Sequence, residues 1–278
     1  MTATDPIGIF DSGVGGLSVL RHIQQFSPYE RLIYFADQRH VPYGSRSLAE
    51  IRQFSEEITR FLLTKGVKII VVACNTATAA ALRSLRETFP QVPFVGMEPA
   101  VKPAALTTRS GKVGVLATEN TFASPRYAQL MSRFAQNVEV IEDPCRGLVA
   151  LIESGQFDGL ETERLLRRVL NPMLNKGIDT LVLGCTHYPF VRPLIEQIVV
   201  EEAGGMPVTI IDPSPAVARQ TRKILADRKI SALAGQQGAV QLLTSANAHP
   251  LAELSAQSLG HRFVVKEVFW RDSKLASA

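Results

Sequence analysis

The chain has 278 residues, 46% hydrophobic and 20% charged, with a net charge of +4 and a sequence pI of about 9. That composition supports one large domain or two small ones and excludes a disordered chain. No apolar run approaches the roughly 18 residues that span a membrane, and MTATDPIGIF lacks the basic start and apolar core of a signal peptide, so a cytoplasmic protein is expected.

In chain order, the first predicted strand is Ile7–Phe10. It runs into Asp11-Ser-Gly-Val-Gly-Gly16, whose glycines allow a tight turn and leave backbone amides at a helix start, where a carboxylate or phosphate is favoured. The segment is neither GxGxxG nor a P-loop, so no dinucleotide cofactor is expected. Asp11 either caps the turn or tunes a neighbouring acid/base group. Leu32–Ala36 is the next strand, Pro42-Tyr-Gly-Ser45 a turn, and Leu48–Lys65 a helix with Ile51, Phe54, Ile58, Phe61 and Leu62 spaced three to four apart. Strands then follow at Lys68–Ala73, Phe94–Met97, Lys112–Ala117, Val138–Glu142, Thr180–Gly184, Val208–Ile211, Ala239–Thr244 and Phe263–Val268, with helices at Leu160–Leu174 and Val191–Ala203. Alternating strands and helices imply parallel sheets covered by helices, an α/β class.

Two of these strands match each other. KIIVVACNT (68–76) and DTLVLGCTH (179–187) align at an offset of 111, each an apolar run, a small residue, a cysteine and two short polar residues. Runs of this kind read as strands buried on both faces, so Cys74 and Cys185 fall where a parallel strand ends, the position at which open α/β sheets bind ligands. Gly8-Ile-Phe-Asp-Ser12 echoes Gly114-Val-Leu-Ala-Thr118 at an offset of 106. The two echoes predict two related α/β domains, residues 1–98 with 208–278 and residues 99–207, presenting strand ends to a shared cleft. Pro and Gly punctuation near 97–100 and 207–213 sets these boundaries.

A buried lone cysteine is usually an inert small hydrophobe, and Cys145 is read that way. The matched pair reads instead as two acid/base groups, since a helix N-terminus stabilises thiolate. Asn75, Thr76 and Thr186 add short polar groups for a carboxylate or ammonium. His187 is either a satisfied core histidine or a modulator of the adjacent thiol. Three cysteines without CxxC give neither a disulfide framework nor zinc spacing, so no metal is expected. The basic residues are scattered rather than clustered, which argues against a nucleic-acid partner.

Taken together, IGIFDSGVGGLSVL, FADQRHVPYGSRS, VVACNTATAAAL, VGMEPAVKPA, VGVLATENTFASPRY and LVLGCTHYPFV resemble the bacterial glutamate racemases, in order from about Ile7 to Thr221. The resemblance implies two flavodoxin-like domains with the active site in the cleft between them. It implies cofactor-independent interconversion of L- and D-glutamate for peptidoglycan synthesis, with glutamate as the small-molecule partner; a homodimer is left open. The catalytic cysteines of that family fall on Cys74 and Cys185. Its substrate-contacting positions fall on Asp11, Ser12, Tyr43, Gly44, Asn75, Thr76, Thr118, Thr121, Thr186 and His187, and an assisting glutamate falls on Glu153. The block around Glu153 departs from the family pattern, with Arg146 and Ala150 where Pro is frequent. Beyond about residue 225 the resemblance fades. Racemisation needs one group to take a proton and another to supply one from the opposite face, which a thiolate and a thiol do, with Asp11 and His187 shuttling charge to Cys74 and Cys185. Two other readings stay open: a racemase of the same superfamily acting on aspartate or a hydantoin, and a two-lobed solute-binding protein.

Overall fold

In the computed structural model, which describes residues 1–235 and 237–277, the chain divides into two compact units, 1–97 with 214–278 and 98–213. Residues 236 and 278 of the expected first domain lie outside the described residues. The strands in chain order are β1 (Ile7–Asp11), β2 (Leu32–Ala36), β3 (Ile69–Val72), β4 (Phe94–Gly96), β5 (Lys112–Leu116), β6 (Glu139–Asp143), β7 (Thr180–Leu183), β8 (Thr209–Ile211), β9 (Val240–Thr244), β10 (Val265–Arg271) and β11 (Lys274–Ser277). The α/β class with two parallel-sheet domains is as the sequence predicts.

The first unit holds a sheet in the order β11-β10-β9-β2-β1-β3-β4, parallel throughout except for β11. β1, β2 and β3 are buried at every position, which is why they read as unbroken apolar runs. Phe10, Phe35, Ile70 and Val72 form a core with Ile58 and Leu62 of the helix Leu48–Thr64 and Leu85 of the helix Asn75–Thr88. The helix Leu48–Thr64 starts where Ser47 and Glu50 close a capping box: the Ser47 hydroxyl accepts from the Glu50 amide and the Glu50 carboxylate accepts from the Ser47 amide.

Just before β3, Lys68 is fully buried and pairs with buried Glu30 at 2.6 Å. Its ammonium also donates to the carbonyls of Ala3 and Ile230, both at 2.8 Å, and Glu30 accepts from the Ala232 amide. One buried charge pair thus joins the start of the chain to the segment that returns from the second unit.

The second unit holds a four-stranded parallel sheet, β6-β5-β7-β8. Val113, Val115 and Val182 pack with Ala104, Tyr127 and Leu130. Residues 208–213, expected with the first domain, belong here, because β8 pairs with β7 from Thr180↔Thr209 to Val182↔Ile211. Pro207 marks the turn into an edge strand, not a domain boundary.

The sequence echo has a structural meaning. β1 lies between β2 and β3, and β5 lies between β6 and β7, so each sheet reverses its direction of growth beside its first strand. The registers correspond as well: Gly8↔Ile70 and Phe10↔Val72 in one sheet, Gly114↔Leu181 and Leu116↔Leu183 in the other. Each cysteine therefore follows the strand that borders a topological switch point, where α/β sheets leave a crevice for ligands. Among the described residues, no helix is long and apolar enough to cross a membrane.

Candidate active site

In the first unit, Asp11 closes β1 and is wholly buried. Its carboxylate accepts from the amides of Gly16 (3.0 Å) and Gly13 (3.3 Å), so it pins the glycine turn at the start of the helix Leu17–Phe26. A Cβ on Gly16 would lie 2.8 Å from the Asp11 Cβ and 2.9 Å from the Tyr34 ring, which leaves room only for glycine. Ser12, next along the chain, lies beside Cys74, with Oγ 3.9 Å from Sγ.

Cys74 is the N-cap of the helix Asn75–Thr88, and its sulfur accepts from the Ala77 amide at 3.4 Å. A helix start aimed at a sulfur favours its anionic form. Asn75 is buried, and both polar atoms of its side chain have no hydrogen-bond partner among the described residues. Leaving a buried donor or acceptor unpaired costs about 1–3 kcal/mol, so an orphaned amide beside a thiol marks a place for a polar ligand. Thr76 is buried beside it. Tyr43 and Gly44 sit in a single helical turn, Tyr43–Ser45, with the Tyr43 ring buried and its hydroxyl donating to Asp37 at 2.6 Å. Burial, Asp37, Cys74 and Asp11 together push the Tyr43 phenol well above its ordinary range. Asp37 was not expected from sequence; its signal was an acidic residue directly after a buried strand, as at Asp11.

In the second unit, Gly184 ends the β7 segment, and a Cβ there would lie 2.7 Å from the Leu116 carbonyl oxygen, so the strand end packs only as glycine. Cys185 and His187 follow, both buried. His187 Nδ1 lies 3.7 Å from Cys185 Sγ, and Nε2 lies 2.6 Å from Glu153 Oε1. Burial works against protonating this ring, but the hydrogen bonds and charges of Cys185 and Glu153 outweigh it and hold His187 well above its usual value. Glu153 ends the helix Leu148–Glu153, so the looser sequence block still delivers a carboxylate to the imidazole. Thr118 and Thr121 follow β5, with their hydroxyls 3.0 Å apart, and Thr186 is buried between Cys185 and His187. Cys145 is buried too, and burial and Asp143 push its thiol well upward, which suits an inert structural position. Among the described residues, no group of three or more His, Cys, Asp and Glu side chains is placed to hold a metal ion.

Glu153→Gln removes the charge facing Nε2, so the titration of His187 should move to lower pH, read from its ring resonances by NMR; an unmoved titration would contradict the pairing. A raised folded-state value also stabilises the fold below the ordinary histidine pKa of about 6.5 and ceases to do so as pH rises through the folded value. The stability lost in Glu153→Gln should therefore be largest on the acid side of that window.

The Asp/Glu/Hydantoin racemase family model matches residues 7–221. The chain belongs to this family. The glutamate racemase of Pseudomonas paraeruginosa is 54% identical over 241 residues, 87% of this chain and 89% of that protein. The crystal structure of glutamate racemase from Francisella tularensis in complex with D-glutamate matches with a TM-score of 0.81 at 30% identity, covering 96% of this chain and 98% of that one. Escherichia coli glutamate racemase in complex with L-glutamate and the activator UDP-MurNAc-Ala matches with a TM-score of 0.79 at 31% identity, covering 99% of each chain. The match of this racemase family begins at β1 and includes Cys74, Glu153, Cys185 and His187.

Proposed function

We propose that this protein is a glutamate racemase that interconverts L- and D-glutamate without a cofactor, supplying D-glutamate for peptidoglycan synthesis in the cytoplasm. The observation that carries the reading is the matched pair of thiols, each placed after a switch-point strand and each with its own polar partners: Ser12 and the Ala77 amide at Cys74, His187 and Glu153 at Cys185. Relatives that share most of the chain's length are glutamate racemases, which selects the substrate within the family.

Inverting an α-carbon takes two groups in opposite protonation states. We assign Cys185 to remove the proton of L-glutamate and Cys74 to remove that of D-glutamate, the other thiol delivering a proton each time. The α-hydrogen beside a carboxylate is weakly acidic, so the site must stabilise the charge that develops as the proton leaves. Asn75 serves this task, since its buried amide regains a partner when a substrate carboxylate or ammonium arrives. Thr76, Thr118, Thr121, Thr186 and the Tyr43–Gly44 turn complete the substrate contacts. His187, charged and backed by Glu153, balances the Cys185 thiolate and is placed to give it a proton. Asp11 fixes the turn that carries Ser12 to the Cys74 sulfur.

Glutamate, aspartate and a hydantoin offered separately to the purified, metal-stripped protein test the assignment. Glutamate should be converted in both directions with an equilibrium constant near unity, as enantiomers in water require. Faster turnover of aspartate or the hydantoin would move the protein elsewhere in its family, and a strict need for a divalent ion would end the cofactor-free account.

A further inference from the structure

Asp37 follows β2 and is wholly buried, yet four side-chain donors reach its carboxylate. Oδ2 accepts from the Tyr43 hydroxyl at 2.6 Å and from His40 Nδ1 at 2.9 Å. Oδ1 accepts from the Ser245 hydroxyl at 2.7 Å and from Trp270 Nε1 at 2.8 Å. A carboxylate has about four acceptor sites, and four donors use them, which is what allows a charge to be buried here. Rings close the assembly: His40 stacks on Phe54 at 4.0 Å, and Trp270 meets the edges of both.

One donor, Tyr43, lies on the turn Tyr43–Ser45 and another, His40, lies three residues before it; the other two come from more than 200 residues away. The Tyr43 phenol is spent on Asp37, so its part is to anchor the turn. The Asp37 amide in turn donates to the Asp11 carbonyl at 3.0 Å, and the Ser245 amide to the Ala36 carbonyl at 3.0 Å. The assembly therefore sits at the carboxyl ends of β1, β2 and β9, on the side of the sheet where α/β ligands bind. Ser245 and Trp270 lie beyond residue 221, where the family match ends.

We propose that Asp37 is a positioning residue for racemisation, and that Trp270 and Ser245, reaching it from the C-terminal segment, hold the Tyr43–Gly44 turn in its substrate-binding geometry. The inference rests on the glutamate reading above. A turn held loosely costs binding before chemistry, because the energy of ordering it is then drawn from the substrate.

Trp270→Phe keeps an aromatic ring against His40 and Phe54 but removes the N–H that reaches Asp37. Its KM for glutamate should rise about fivefold to tenfold, the scale of one ordinary hydrogen bond, with kcat within about twofold. Ser245→Ala should do the same and carries the test if Trp270→Phe does not fold. Val268→Ala, a buried change on the same strand that leaves all four donors to Asp37 in place, should lower the thermal midpoint while leaving KM alone. Unchanged KM in both clamp variants, or an equal rise in Val268→Ala, would overturn the positioning role while the racemase reading stood. A wild-type protein that does not racemise glutamate would overturn both.

Discussion

Cys74→Ala and Cys185→Ala should each lower glutamate racemisation by about a thousandfold or more, the scale on which a positioned acid/base group contributes, while leaving a folded protein. Each thiol stands at a strand end, 5% and 7% exposed, and losing one sulfur there costs about 1 kcal/mol of packing. The neighbours survive the change: His187 keeps Glu153 in one variant, and Asp11 keeps its glycine turn in the other. Removal and delivery of a proton are both needed for inversion, so the loss of either thiol stops it. A reaction that needs only one base should persist. A glutamate analogue with a leaving group on the β-carbon loses its α-proton to the surviving thiolate; the freed electron pair forms the double bond as the leaving group departs. Cys74→Ala should process the L-analogue and Cys185→Ala the D-analogue. The same handedness in both variants, or near wild-type racemisation in either, would end the division of labour between the thiols.

The largest effect on stability is expected at Lys68. Lys68→Met leaves Glu30 buried without its partner and frees the carbonyls of Ala3 and Ile230. Breaking one side of a buried ion pair costs about 3–5 kcal/mol, which for a unit of this size lowers its melting midpoint by roughly 6–20 °C. Trp270, the chain's one tryptophan, lies in the same unit, so its fluorescence reports that transition directly. Lys68→Met with Glu30→Leu should recover most of the loss, since two apolar groups then fill the site where two charges were desolvated. A single-variant cost below about 1 kcal/mol, the range of exposed pairs, would show that the pair is solvated.

The parts legible in the sequence are those set by local pattern. Strands buried on both faces announce themselves as apolar runs, so β1, β2, β3, β5 and β7 fall within a residue or two of their expected bounds. The echo between 68–76 and 179–187 carried the two-sheet architecture because identical topology places identical chemistry at each switch point. What was missed depends on contacts far apart in sequence or on turns without a signature. The hairpin β10–β11 turns at Asp272 and Ser273, both with positive φ, 45° and 63°. Such a turn is signalled by Asn-Gly or Asp-Gly, and Asp-Ser does not carry that signal. Asp37 shows in the sequence only as an acidic residue after a buried strand, and its four partners are visible only once Ser245 and Trp270 arrive. Glu153 came from resemblance alone; its bond to His187 is visible only once a helix end meets the β7 loop.

The central claim is that two thiols of this chain invert one α-carbon. Incubating the wild-type protein with L-glutamate in D2O and following both enantiomers early in the reaction tests it most directly. The two-thiol account predicts D-glutamate carrying one solvent deuterium at the α-carbon, while the remaining L-glutamate keeps its hydrogen. Glutamate bound without exchange, or deuterium appearing equally in both enantiomers from the start, would contradict it.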